Sequence, residues 1–409
     1  MAAYHKTMLI STHARGSDFH HCPRFPPPWP RDQAELTSQY SKNDYLRGEQ
    51  IRVLYAVPEL TTEDFGRLFQ SQLSNDDSLC ETMTPQLQNH VNGNGPYNQE
   101  VHRIVISDDA CTHEAVTNDI VAEAVTFLHR DGILILENAI DPSHLDDLAG
   151  ILTPEAEEIA RDPKHHFNFG KETRNMDQAP PLIPRIMYKD IWANPFAVAI
   201  CSAILGPNPV CHYANGNTAL RATGRQPVHA DIDKPHPMYP FAFAINIPLS
   251  DTNSENGSTE IWVGSHRDSN IDQHTAHGED DAGLVIKPEL LEERREHSPP
   301  IQPSTKKGSL MIRDIRLWHA GMPNRTDVPR IMLAFVIQPK WFDAPSRVIL
   351  PRKTQSLVEK WRTETGLEYN AQWVDGDVNH KTINSSEVDF STRNKRLLEL
   401  EPLMHVPVH

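Results

Sequence analysis

Residues Leu310–Phe335 read LMIRDIRLWHAGMPNRTDVPRIMLAF. The first part, up to His319, is a β-like run, AGMPN is a turn, and Arg330 opens a second strand, RIMLAFVIQPK. Side chains along a strand alternate between faces, so Arg330, Met332, Ala334 and Val336 share one face and Ile331, Leu333, Phe335 and Ile337 the other. Further short β-like runs lie upstream: PVCHYANGNTALRA from Pro209, PFAFAINIPL from Pro240, STEIWVG from Ser258 and LVI from Leu284. Clusters of Gly, Pro, Asn and Asp separate them, the signature of an antiparallel sandwich or barrel.

Ahead of this β-rich stretch the texture is helical. AVTNDIVAEAVTFLHRDG (115–132) has apolar residues at helical spacing and stops at Gly132; ILILENAI then reads as a buried strand. DPSHLDDLAGIL starts a second helix with Asp141 or Ser143 as its cap, and NPFAVAICSAILG a third that ends at Gly206. The expected order is helices first and then a β-sandwich. Residues 1–105 form a polar, proline-rich extension containing PRFPPPWPRD, which buries too little apolar surface to offset its chain entropy. Residues 106–348 form the folded domain, and 349–409 a polar tail, with one helix at SLVEKWRTET, that packs on the outside.

Composition narrows the function classes. The net charge of −16 comes without a dense Lys/Arg block, which argues against nucleic acid as a partner. Five cysteines (Cys22, Cys80, Cys111, Cys201 and Cys211) without C-x-x-C spacing suggest neither a zinc knuckle nor a disulfide framework, and fit a reducing compartment. No apolar stretch approaches a membrane span of about 20 residues, and MAAYHKTMLISTHARGSDFHH lacks a signal-peptide core. A soluble cytoplasmic protein is expected.

Metal chemistry enters at GRQPVHADIDKPHPMYPFAFAINI (224–247), where His229 and Asp231 stand two positions apart. On a strand, such a pair shares a face and can hold one metal ion together. The pattern alone is weak, because it recurs at His129/Asp131, His144/Asp146 and His266/Asp268 and, with glutamate, at His277/Glu279. The first two pairs fall on helices, where positions i and i+2 diverge, and the third belongs to a turn in which such side chains satisfy backbone groups. Two histidines and one carboxylate form a facial triad that leaves three octahedral positions open, and His319 supplies the third donor from a later strand. Arg330, eleven residues further on, can lean back and clamp a dicarboxylate.

The set His229-x-Asp231, His319 and Arg330, together with NGSTEIWVGSHR at 256–267, resembles the phytanoyl-CoA dioxygenase (PhyH) family of Fe(II)/2-oxoglutarate-dependent oxygenases over roughly residues 110–345. In texture it is closer to fungal members that act on secondary metabolites than to the peroxisomal acyl-CoA enzyme. The resemblance implies a mainly β fold with flanking helices: a cupin-like double-stranded β-helix, or jelly roll, with iron at one mouth. His229, Asp231 and His319 are then the iron ligands, and Arg330 the partner of the distal 2-oxoglutarate carboxylate. Asn217 and Thr259 are further candidates for cosubstrate contacts. Many members carry a hydroxyl two residues beyond the second histidine, where this chain has Gly321. The implied activity is hydroxylation, desaturation or rearrangement at an unactivated C–H bond of a small molecule, with dioxygen and 2-oxoglutarate converted to succinate and CO2. A homodimer is one further partnership, with the extension as its contact. The rival readings are a non-catalytic jelly-roll binding module and a cupin-like metal isomerase or hydrolase, neither of which needs Arg330 as a clamp.

Overall fold

The computed structural model describes residues 100–267, 269–276, 284–383, 385 and 388–399. The chain divides into two compact units, Met1–Gly93 and Asn94–His409, and every described residue lies in the second. The proline-rich run at 23–32, Cys22, Cys80, Asp268, His277 and Glu279 therefore lie outside the described residues.

Fourteen described strands and eight described helices follow in chain order. The strands used below are β1 (Arg103–Val105), β2 (Ile133–Glu137), β3 (Asn175–Asp177), β4 (Val210–Ala219), β5 (Phe243–Pro248), β6 (Glu260–Ile261), β7 (His274–Ala276), β8 (Leu284–Ile286), β9 (Leu310–Asp314), β10 (His319–Ala320), β11 (Arg330–Gln338), β12 (Val348–Pro351), β13 (Glu368–Tyr369) and β14 (Ala371–Val374). The helices are α1 (Asp108–Thr112), α2 (Asn118–Asp131), α3 (Pro142–Ala160), α4 (Lys189–Trp192), α5 (Pro195–Leu205), α6 (Pro288–His297), α7 (Gln355–Thr365) and α8 (Lys395–Glu399).

The main sheet has eight strands in the order β1-β2-β9-β5-β11-β4-β13, with β3 also paired to β4. Its second layer is the small β6/β10 sheet, extended by single bridges between His229 and His319, Ile261 and Ile301, and Thr252 and Thr305. Two facing layers of mainly antiparallel strands under a coat of helices make this a jelly roll. The alternation along β11 comes out as the sequence reads: Ile331, Leu333, Phe335 and Ile337 join the core under the helices, whereas Arg330, Met332, Ala334 and Val336 line a cavity between the layers. Strand β2 buries both faces, with Leu134 and Leu136 toward the helices and Ile133 and Ile135 toward the second layer. Full burial of such a side chain contributes roughly 1.5–3 kcal/mol.

Local signals account for the helix ends. Thr117 caps α2 by accepting a hydrogen bond from Ile120 N, and Gly132 ends it in the left-handed region at φ 75°, which a residue with a Cβ adopts only under strain. A Cβ there would also stand 2.4 Å from His266 Nδ1. Asp141 caps α3, and Asn194 caps α5 by accepting from Phe196 N and Ala197 N.

Three expectations need amending. Helices do not simply precede strands: β1 comes before the first described helix, β3 lies between helices as the expected β2 does, and α6 interrupts the β region. Helix α6 carries only Leu290 and Leu291 as apolar anchors, so it has no periodic apolar stripe to betray it. The boundary at residue 105 cuts off β1, which pairs parallel with β2 while Val101, Ile104 and Ile106 are buried. The segment after residue 348 is more than an outer cover. Trp361 of α7 and Leu367 are in the main core, β13 pairs with β4, and Ser385 donates from both N (2.6 Å) and Oγ (2.8 Å) to the buried Asp177 carboxylate. That carboxylate, out of reach of water, needs those donors.

Candidate metal centre and cosubstrate pocket

His229 and His319 are joined by two backbone hydrogen bonds, His229 N to His319 O at 3.0 Å and His319 N to His229 O at 2.9 Å. This register sets their rings side by side, with centroids 4.3 Å apart. Asp231 N donates to Ile315 O (2.9 Å), which places its side chain on the same face. Donor atoms of His229, Asp231 and His319 all lie within 4.8 Å of one another, the sole such trio of His, Cys, Asp or Glu among the described residues. Asp231 Oδ1 stands 3.9 Å from His229 Nε2 and 3.3 Å from His319 Nε2.

Each histidine is fixed from behind. His229 Nδ1 donates to Pro227 O (2.9 Å) and His319 Nδ1 to Leu317 O (3.0 Å), in both cases the carbonyl two residues back. Only a protonated Nδ1 can donate to a carbonyl, which leaves Nε2 of each ring as the atom turned toward Asp231 and available to a metal ion. Burial, with the neighbouring His319, pushes His229 down to about 3, so it is neutral at physiological pH. Burial would raise the Asp231 carboxyl, but Arg313 and His319 outweigh it and hold the group well below the usual range, ionised. Two imidazoles and one carboxylate, with no thiolate, fit a first-row divalent ion that prefers mixed N/O ligands, iron(II) among them.

The centre opens into a cavity of about 320 Å3. Arg330 lines its far wall, 2% exposed, with Nη1 donating to Asn217 O at 3.3 Å and Nε without a partner. Burial brings its guanidinium down to about 10, still charged at neutral pH. Asn217 and Thr259 are on the cavity wall too, and Asn217 Oδ1 is buried without a partner. At Gly321 a Cβ would meet Gln226 Oε1 at 2.4 Å and Asn175 Nδ2 at 2.8 Å: two amide side chains occupy the space beside that glycine.

The other His-x-Asp pairs are elsewhere. His144 Nδ1 pairs with Asp190 (2.9 Å), Asp131 with Arg130 (2.6 Å), and His266 Nε2 donates to His129 O (3.2 Å). Trp262 and Trp318 are core residues, with Arg295 and Arg294 over their rings at 5.4 and 5.8 Å. Tyr239 and His236 do not line the cavity; Tyr239 is tilted against Trp341 (5.9 Å) and His236 stacks on Phe241 (5.5 Å).

Several lining residues escape a sequence reading. Phe169, held at a left-handed φ of 57°, tilts its ring against His229 at 4.5 Å. Asn168, Asn175 and Gln226 come from loops or a three-residue strand, and Ser385, Val388 and Phe390 from the tail. Arg313 was the legible one: a charged residue in the apolar strand LMIRD, on the inward face with Met311. Its Nη2 donates to Asp231 Oδ2 at 2.5 Å, and its Nη1 stands 3.2 Å from His319 Nδ1.

The family model for phytanoyl-CoA dioxygenase (PhyH) matches residues 128–332, a span that holds all of His229, Asp231, His319 and Arg330. The chain belongs to the PhyH family. It is therefore an iron- and 2-oxoglutarate-dependent oxygenase that uses dioxygen and a small-molecule substrate. Two solved structures of SnoN are similar to it. One, the non-heme alpha-ketoglutarate-dependent epimerase from nogalamycin biosynthesis, is 14% identical with a TM-score of 0.39 over 55% of this chain and 84% of that one. The other, SnoN in complex with Fe3+, alpha-ketoglutarate and nogalamycin RO, is 15% identical with a TM-score of 0.40 over 55% and 85%. Among the described residues, no helix of this PhyH-family chain is long and apolar enough to cross a membrane.

Proposed function

We propose that this oxygenase hydroxylates, desaturates or rearranges an unactivated C–H bond of a small, largely apolar organic molecule of the secondary-metabolite kind, with His229, Asp231 and His319 as iron ligands and Arg330 as the cosubstrate clamp. The observation that carries the reading is Arg330: a buried, charged guanidinium facing a cavity with its Nε unpartnered. Such a group is costly unless an anion meets it. A dicarboxylate spanning from the metal to Arg330 does so. When bound, iron(II) and 2-oxoglutarate would let dioxygen, the oxidant, act on the C–H bond, one of its oxygen atoms ending in succinate as the cosubstrate loses CO2.

The chain's own residues bind, orient and exclude water. The backbone bonds behind both histidines hold their Nε2 atoms forward, and Arg330 fixes the far end of the cosubstrate. Phe169, Tyr213, Ile232, Val336, Val388 and Phe390 line the same cavity and offer an apolar seat for the substrate. A non-catalytic binding module or a cosubstrate-free isomerase leaves Arg330 without an anion. The test is anaerobic titration of the iron(II) protein with 2-oxoglutarate. A weak visible charge-transfer band, together with succinate release in air, supports the oxygenase, and a colourless mixture that releases no succinate overturns it.

A further inference from the structure

We propose that Arg313 is a positioning residue that holds Asp231 to one-oxygen coordination. The inference rests on Asp231 being a metal ligand. The two carboxylate oxygens already face different partners: Oδ1 turns to His229 Nε2 (3.9 Å) and His319 Nε2 (3.3 Å), while Oδ2 takes Arg313 Nη2 at 2.5 Å. Asp231 sits on an irregular stretch after the His229 bridge, whereas Arg313 is on a regular strand. It is 6% exposed on β9, which pairs on one side with β2 and on the other with β5. A rigid donor on a central strand thus sets the rotation of a carboxylate on a loop.

Fold stability alone gives no reason for this pair. A buried ion pair seldom outperforms apolar residues of similar volume, and the neighbouring inward positions carry methionine and alanine. Coordination does give one. Three protein donors leave three positions on an octahedral ion, two for a chelating 2-oxo acid and one more. A carboxylate that turned to offer both oxygens would take one of these three, in competition with the chelating oxygens of the 2-oxo acid. With Arg313 on Oδ2, the second oxygen is engaged and the position stays open.

The test compares Arg313→Gln and Arg313→Lys with wild type, reading metal affinity and cosubstrate affinity separately. Cobalt(II) serves as the spectroscopic metal probe, and the anaerobic iron(II) charge-transfer band reports 2-oxoglutarate. Arg313→Gln is expected to bind cobalt(II) at least as tightly as wild type, with an altered visible ligand-field spectrum, and to bind 2-oxoglutarate at least tenfold more weakly. Arg313→Lys, which still offers Oδ2 a charged donor, should recover most of that affinity and the wild-type spectrum. If Arg313→Gln fails to fold, Arg313→Lys alone decides: cobalt(II) affinity unchanged and 2-oxoglutarate weakened a few-fold supports the role. Metal and cosubstrate affinities falling in parallel, or 2-oxoglutarate affinity unchanged in a folded variant, overturns it in favour of a merely structural arginine. Asp231→Ala separates the underlying reading, because cobalt(II) binding retained in that variant removes Asp231 from the ligand set whatever Arg313 does.

Discussion

Replacing Arg330 with methionine keeps most of the side-chain volume and removes a guanidinium that is 2% exposed. Burial lowers that group from its usual value to about 10, a cost of about 3 kcal/mol to the charged form. In the protein without cosubstrate only the 3.3 Å hydrogen bond from Nη1 to Asn217 O sets anything against this cost, so Arg330→Met should unfold at the same or a higher temperature than wild type. With cosubstrate the balance reverses. Loss of a desolvated, charge-assisted contact to a carboxylate costs about 2–5 kcal/mol, roughly 30-fold to several thousand-fold in the 2-oxoglutarate dissociation constant. Arg330→Lys keeps the charge without the fork and should fall between. Both should bind iron(II) normally, since Arg330 is not among the clustered donors. The assay is the anaerobic charge-transfer titration beside a thermal melt. A folded Arg330→Met protein that binds 2-oxoglutarate within about threefold of wild type, under ~1 kcal/mol, refutes the clamp.

Alanine at His229, Asp231 or His319 should each abolish iron-dependent succinate formation, while His144→Ala and His266→Ala keep iron binding; loss of iron from His266→Ala alone would reverse the choice among the His-x-Asp pairs. Gly321→Ala puts a methyl 2.4 Å from Gln226 Oε1, which accepts from Gly321 N at 2.7 Å, so it should weaken 2-oxoglutarate binding with little change in iron affinity; wild-type affinity would show that this amide is free to move. Removal of residues 1–95 should leave a folded, iron-binding protein, whereas removal of 1–106 strips β1 with the buried Val101, Ile104 and Ile106 and should lower the melting temperature sharply; an insoluble shorter truncation would show that the extension supplies core. Burial holds His236 and His266 at about 4, below the unfolded 6.5, so the unfolded chain takes up protons first as pH falls. Their contribution is present above about pH 6.5 and declines toward pH 4, with roughly 2 kcal/mol per histidine gone by pH 5; a urea midpoint that does not move between pH 7 and pH 5 contradicts this.

What the sequence made legible was whatever depends on near neighbours. The alternation of RIMLAFVIQPK assigns four residues to each face of β11, and four face the cavity while four enter the core, because a strand's period of two survives any tertiary context. Thr117, Asp141 and Gly132 mark helix ends, because capping is a local transaction between a side chain and the adjacent backbone. His229, Asp231, His319 and Arg330 gather at one cavity because a pair two positions apart and a strand–turn–strand spacing are both short-range patterns.

Contacts that close long loops were not legible in the same way. Phe169 reaches His229 from a loop between α3 and β3, and Phe390 reaches Tyr213 from the tail at 5.6 Å, edge to face. Both contacts join segments far apart in the chain, and the Asp177–Ser385 tie spans 208 residues. Arg313 lies between these cases. Its oddity, a charge on the inward face of an apolar strand, is local, but the reason for it is 82 residues away on Asp231. Two buried arginines thus face one cavity with different assignments. Arg313 already has its carboxylate, so its charge is spent within the protein; Arg330 has only a backbone carbonyl at 3.3 Å. On the proposed function, an incoming dianion meets the second. Such a division would not survive exchanging the roles: an unpaired arginine at 313 would draw the cosubstrate carboxylate to the metal's near side, where the two oxygens it must present to the ion could no longer reach.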